Sequence, residues 1–215
     1  MKKKLLIFDL DGTIADTIWT IRDGVNLALD KYSFPRRDYE DIRKAIGNGA
    51  RELIRLSVPE DKRADAQLID RVFDDYNKLY AKTYANIDGC YPKVEDTVRT
   101  LCERGYIISV LSNKQDLYVK KIIGTLFPDG SIGLAIGQTE LPRKPDPTVP
   151  LMIADRFFVS AADCAFIGDS EVDIMTAKNA GMTSVACTWG YRPREALADA
   201  DYIIDSADEL LCIFE

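Results

Sequence analysis

Leu5-Leu6-Ile7-Phe8 is an unbroken apolar run between Lys4 and Asp9. A run that short, apolar on both sides and bounded by polar residues, reads as a buried strand over Lys4 to Phe8. Ile14, Ile18, Ile21, Val25 and Ala28 then recur at helical spacing, predicting a helix that starts near Ile14. From Ser33 to Asn86 no strand-like run occurs. The periodicity there predicts helical segments over 38–46, 50–57 and 61–85, the last carrying Leu68, Val72, Tyr76, Leu79 and Tyr80. At Tyr91-Pro92 the style changes. A helix through Val94, Val98 and Leu101 leads to a strand at 106–111, and the alternation continues with helices at 115–123, 148–158, 171–180 and 207–214. Strands fall between them at 132–136, 164–167, 183–187 and 202–204, and Gly181 is placed to cap the 171–180 helix. Strands alternating with helices predict an α/β fold, a doubly wound, mainly parallel sheet of Rossmann-like design covered on both faces. The helical stretch at 16–87 reads as an inserted α-helical cap domain, leaving 1–15 and 88–215 as the α/β core.

Composition removes several kinds of chemistry. With 215 residues, 47% hydrophobic and 29% charged, the chain is an ordinary globular sequence, but it contains no histidine. A Ser-His-Asp triad, a His-paired cysteine, an HExxH zinc site and an imidazole base are therefore excluded. No GxxxxGK[ST] occurs, which excludes a P-loop. Twenty-eight basic against 35 acidic residues give a net charge of −7, a poor match to nucleic acid. The five cysteines, Cys90, Cys102, Cys164, Cys187 and Cys212, show no CxxC spacing, which fits a reducing compartment better than a disulfide framework. Met1-Lys2-Lys3-Lys4 briefly imitates a secretory leader, but the apolar run after it ends well short of the ~7–15 residues a leader needs. No run approaches the ~20 apolar residues of a membrane span. The expectation is a cytoplasmic protein, monomer or homodimer, without nucleic-acid or membrane partners.

In doubly wound sheets ligands bind at the carboxyl ends of the strands, so the residues directly after each apolar run matter most. Those are Asp9-Leu10-Asp11-Gly12-Thr13, Ser112-Asn113-Lys114, Arg143-Lys144-Pro145-Asp146-Pro147 after a short loop, and Gly168-Asp169-Ser170-Glu171-Val172-Asp173. Taken singly, each has an ordinary reading: Asp9 and Asp11 in a capped loop, Asp169 as an N-cap, Asp173 as a first-turn acid, Ser112 as a cap, Lys144 as an exposed turn residue. Gathered at one sheet edge, two carboxylate clusters would repel unless a cation lay between them. Hard oxygen ligands suit Mg2+, and a lysine with a hydroxyl suits a phosphoryl group.

These four motifs, in order, resemble those of the haloacid dehalogenase superfamily. Ile46-Gly47-Asn48-Gly49-Ala50, Gly89-Cys90-Tyr91-Pro92, Ser112-Asn113-Lys114 and Trp189-Gly190-Tyr191 are similar to the phosphoglycolate phosphatase branch. The resemblance implies a Mg2+-dependent phosphatase acting on a small phosphorylated metabolite. It implies Asp9 as nucleophile forming an aspartyl-phosphate and Asp11 as acid and base. It places the metal on Asp9, Asp169 and the main-chain carbonyl of Asp11, with Asp173 holding a metal-bound water or orienting Asp169. Ser112, Asn113 and Lys144 are expected at the phosphoryl group. In the cap, Gly47, Asn48, Gly49 and Arg51 either read the leaving group or form an ordinary inter-helix turn. Rival readings are a β-phosphoglucomutase-type mutase, a pyrophosphatase, and a non-catalytic binding protein on the same fold.

Overall fold

The computed structural model describes residues 4–215; the first three residues of the charged N-terminal run lie outside the described residues. In chain order, β1 (Leu5–Phe8) is followed by α1 (Ile18–Asp30), α2 (Tyr39–Ala45), α3 (Ala50–Ser57) and α4 (Ala66–Tyr80). Then come α5 (Val94–Glu103), β2 (Ile107–Gln115), α6 (Asp116–Leu126), β3 (Leu134–Gln138) and α7 (Thr148–Arg156). β4 (Cys164–Gly168), α8 (Glu171–Ala180), β5 (Thr183–Cys187), β6 (Tyr202–Ile204) and α9 (Leu210–Ile213) complete it. The backbone divides into two compact units: one running to Asp16 and resuming at Gly89–Glu215, the other Thr17–Asp88.

The first unit is built on a six-stranded sheet in the order β3-β2-β1-β4-β5-β6. All neighbours are parallel. Leu5, Leu6 and Ile7 are fully buried and Phe8 nearly so, because helices cover both faces of a parallel sheet. Leu5 and Ile7 face a core formed with Phe166, Val149, Ile153, Ala177 and Met182. The strand order reverses at β1, between β2 and β4, which opens a crevice at the carboxyl ends of those strands. The register sets Phe8 beside both Val110 and Ile167, so the residues just beyond all three strands share one edge.

The second unit is a set of packed helices. Gly24 lets α1 approach α4 closely, since a Cβ there would lie 2.9 Å from the Tyr80 ring. Tyr76 and Tyr80 stack with centroids 5.3 Å apart. Asn26 ties α1 to the chain before α2 through paired hydrogen bonds with the main chain of Arg37 (2.9 and 2.7 Å).

Three sequence expectations are corrected. Ile14 precedes the first helix rather than opening it, because Thr13, Ile14 and Ala15 all donate to the Leu10 carbonyl and Ala15 bridges to Cys90. The predicted 61–85 helix is a 3-10 turn at Glu60–Lys62 followed by α4, since the Asp65 carboxylate caps a fresh start by accepting from Leu68 N–H. β2 runs four residues past 111, through Ser112, Asn113 and Lys114, with a register shift against β3. All five cysteines are free thiols, and no helix among the described residues is long and apolar enough to cross a membrane.

Candidate active site

Every carboxylate and lysine singled out in the four core motifs lies in the first unit, at the crevice beside β1. Asp9 continues β1, its N–H bonded to Ile167 O on β4 (2.8 Å). The chain then turns at Gly12, whose φ of +83° suits glycine and whose Cα lies so near Asp169 that a Cβ would sit 2.4 Å from Oδ2. Asp169 follows β4, and its Oδ2 accepts the N–H of Tyr191 (2.7 Å). Ser170, not Asp169, is the N-cap of α8. Asp173 closes the capping box, its Oδ2 accepting from Ser170 N–H (3.1 Å) and Oγ (2.6 Å).

Lys144 is buried, not an exposed turn residue. Its Nζ lies 2.7 Å from Asp173 Oδ1 and 2.8 Å from Asp9 Oδ1. The second contact is an ion pair by distance, yet its angles leave Asp9 Oδ1 without an aligned hydrogen bond. The Asn113 side chain grips the lysine's main chain, donating Nδ2 to Lys144 O (3.1 Å) and accepting Lys144 N–H on Oδ1 (2.9 Å). Ser112 is buried beside it and accepts Lys114 N–H on Oγ (3.3 Å).

Lys114 is a site residue the sequence reading left unassigned. Its Nζ pairs with Asp11 Oδ1 at 2.8 Å, both side chains largely buried. The available signal was its place two residues after Ser112 on an extended strand, where alternation returns a side chain to the same face.

Burial raises the Asp9 carboxyl to about 7; Lys144 opposes the shift, while Asp173 and Asp11 add to it. Asp169 is pushed well above the usual carboxylate range by burial and by the charges of Asp173 and Asp9. Burial alone would lower Lys144, but Asp173 and Asp9 outweigh it and hold the ammonium charged. Two ammonium groups thus face four carboxylates, an excess of two negative charges when all are ionised. Asp9, Asp169 and Asp173 each bring one oxygen within 4.8 Å of the others. A divalent hard cation fits both the donor set and the charge. Asp11 is outside that cluster, its carboxylate engaged by Lys114.

Lys144→Met should therefore destabilise the protein by about 3 kcal/mol, since it strips the buried Asp9 and Asp173 of their counter-charge. Urea denaturation at pH 8 measures this, and an unchanged midpoint would contradict the ion-pair account.

Residues 6–187 match the family model of haloacid dehalogenase-like hydrolases. The chain belongs to that family. This hydrolase is 32% identical to a phosphoglycolate phosphatase of Mannheimia succiniciproducens, over 98% of its own length and 97% of the relative's. It is 30% identical to one from Haemophilus influenzae, with the same coverage. A crystal structure of a "predicted phosphoglycolate phosphatase" from Haemophilus somnus superposes with a TM-score of 0.89 at 27% identity, covering 100% of this chain and 99% of that one. A β-phosphoglucomutase from Clostridium difficile shares the fold at 20% identity and a TM-score of 0.81, covering 98% of this chain and 93% of its own. The hydrolase is thus similar to phosphoglycolate phosphatases along its whole length, while the fold alone also accommodates a mutase.

Proposed function

We propose that this hydrolase is a Mg2+-dependent phosphatase that transfers the phosphoryl group of a small monoester to Asp9 and then to water, with phosphoglycolate as substrate. The observation that carries the reading is Asp9 itself: a buried carboxylate with one oxygen unaligned in any hydrogen bond, flanked by a buried ammonium and clustered with Asp169. That is what a nucleophile for phosphorus requires.

In the first step an Asp9 oxygen attacks phosphorus. The bond from phosphorus to the ester oxygen breaks, and Asp11 gives its proton to the departing alkoxide. In the second, Asp11 takes a proton from water, whose oxygen attacks phosphorus and displaces the Asp9 carboxylate, releasing inorganic phosphate. Lys144 neutralises charge on the phosphoryl oxygens, Asn113 fixes the backbone that carries it, and Ser112 supplies a hydroxyl donor. Asp9, Asp169 and the Asp11 carbonyl would hold the metal, with Asp173, the third carboxylate of the cluster, holding a metal-bound water or orienting Asp169 while it anchors Lys144. When bound, Mg2+ supplies charge neutralisation for the phosphoryl group. Lys114 keeps the Asp11 side chain in one place between the two proton transfers.

The helical unit, residues 17–88, acts in this reading as the cap that reads the leaving group. Gly47, Asn48 and Gly49 precede α3, where main-chain N–H groups favour a carboxylate. Arg51 contributes only on leaving Asp70, with which it pairs at 2.8 Å.

The test is a panel of phosphoglycolate, a hexose 1-phosphate, pyrophosphate and an aryl phosphate, each assayed with Mg2+. Phosphate release from phosphoglycolate should exceed the others by at least about tenfold in kcat/KM. Isomerisation of the hexose phosphate faster than its hydrolysis would favour the mutase, and no release from any ester would overturn the phosphatase reading and revive that of a binding protein.

A further inference from the structure

Trp189-Gly190-Tyr191 follows β5 and takes no part in the chemistry above, yet it touches both carboxylate-bearing loops. Trp189 Nε1 donates to the carbonyl of Thr13 (3.1 Å). Gly190 is so close to both loops that a Cβ would lie 2.3 Å from Asp169 Cβ and 2.4 Å from Gly12 O. Tyr191 donates its N–H to Asp169 Oδ2 (2.7 Å) and its hydroxyl to Asp16 Oδ1 (3.1 Å). Its buried ring lies against Gly12, where a Cβ would come within 2.9 Å of Cδ2. Each residue of the tripeptide therefore contacts the loop after Asp9, and two of them also contact Asp169. The two loops belong to different strands, and no covalent link shorter than the intervening chain fixes their separation.

We propose that Trp189-Gly190-Tyr191 is a positioning segment that sets the spacing between the Asp9 loop and Asp169, and through it the affinity for Mg2+. The inference rests on the metal-dependent reading above. A hydrogen bond to one oxygen of a metal-binding carboxylate fixes which way its other oxygen points, and loss of such support costs about 10- to 100-fold in metal affinity. Gly190 has no positive φ that would bar other residues, so Gly190→Ala acts through its added methyl alone, pushing on Asp169 or on the Gly12 carbonyl.

The experiment is calorimetric titration of the full chain with Mg2+. Wild type should bind one ion. Gly190→Ala, with an unchanged circular dichroism spectrum, should bind at least about tenfold more weakly, and excess Mg2+ should restore its kcat. A merely structural role would lower the melting temperature but leave the Kd of the folded protein alone. Should Gly190→Ala not fold, Trp189→Phe keeps an aromatic ring, though a smaller one, while deleting the Nε1–H bond to Thr13, and should weaken binding by roughly threefold or more. A folded Gly190→Ala with wild-type Kd overturns the positioning role, as does Trp189→Phe with wild-type Kd where it is the variant measured. A wild type that binds no Mg2+ overturns this inference together with the metal-dependent reading beneath it.

Discussion

Asp9→Asn should lower kcat by about 10^4-fold or more and, in the absence of metal, make the protein more stable at pH 8. The first effect follows from the proposed nucleophile: an amide oxygen cannot form the acyl phosphate, and loss of a catalytic nucleophile acts over that range. The second follows from burial. In the folded protein the Asp9 carboxyl is pushed up to about 7, above the ordinary aspartate value of 3.8. The folded protein therefore holds this proton more tightly than the unfolded chain does. That contribution to stability is fully present below 3.8 and is lost as pH rises through about 7. At roughly 1.4 kcal/mol per pKa unit, the ionised carboxylate leaves the folded state less stable at pH 8 by on the order of 4 kcal/mol than the neutral form would. Asparagine keeps the shape without the charge, and Lys144 retains Asp173 as its partner. Metal-free melts should nearly coincide only at about pH 3.5 or below, already part at pH 5, and separate by several degrees at pH 8, the variant melting higher. A variant that melts below the wild type at pH 8 would show that Asp9 is not held at a cost.

Chelation should abolish turnover, and added Mg2+ should restore it, with an affinity that depends steeply on pH. Two ammonium groups among four carboxylates leave a deficit that a divalent cation fills, whereas protons fill it when metal is absent. Asp9 and Asp169, both raised, are the groups a metal must deprotonate. Binding therefore releases protons, and below pH 7 the apparent Kd should rise about tenfold per pH unit for each proton displaced. Calorimetric titrations at pH 6, 7 and 8, in two buffers of different ionisation heat, read both the Kd and the proton count. A Kd independent of pH, or activity persisting in excess chelator, would contradict the metal assignment.

The local patterns in the sequence carried the sheet. A buried parallel strand has to be apolar on both sides, so the runs ending at Phe8 and Ile167 marked the edge on which Asp9 and Asp169 stand. Gly181 ended its helix as expected, with φ +68°. What escaped notice depends on partners remote in the chain. Ile14 fits the helical period, but the pairing of Ala15 with Cys90 holds that stretch out of the helix. Lys114 pairs with Asp11 across 103 residues, Asn113 with Lys144 across 31, and Tyr191 with Asp169 across 22. Each of these depends on the strand order placing β2, β1, β4 and β5 side by side, and no periodicity records that order. The absence of histidine, first an exclusion, agrees with a site built on carboxylates and lysines.

The central claim is that Asp9 carries the phosphoryl group between ester and water. Asp11→Asn with an aryl phosphate makes that state accumulate, because the good leaving group departs without a proton while the second step lacks its base. Acid quenching during turnover, followed by peptide mass spectrometry, should find one phosphoryl group on the peptide containing Asp9, removed by hydroxylamine as an acyl phosphate is. Turnover with no phosphorylated peptide, or a phosphoryl group on any other residue, would contradict the account.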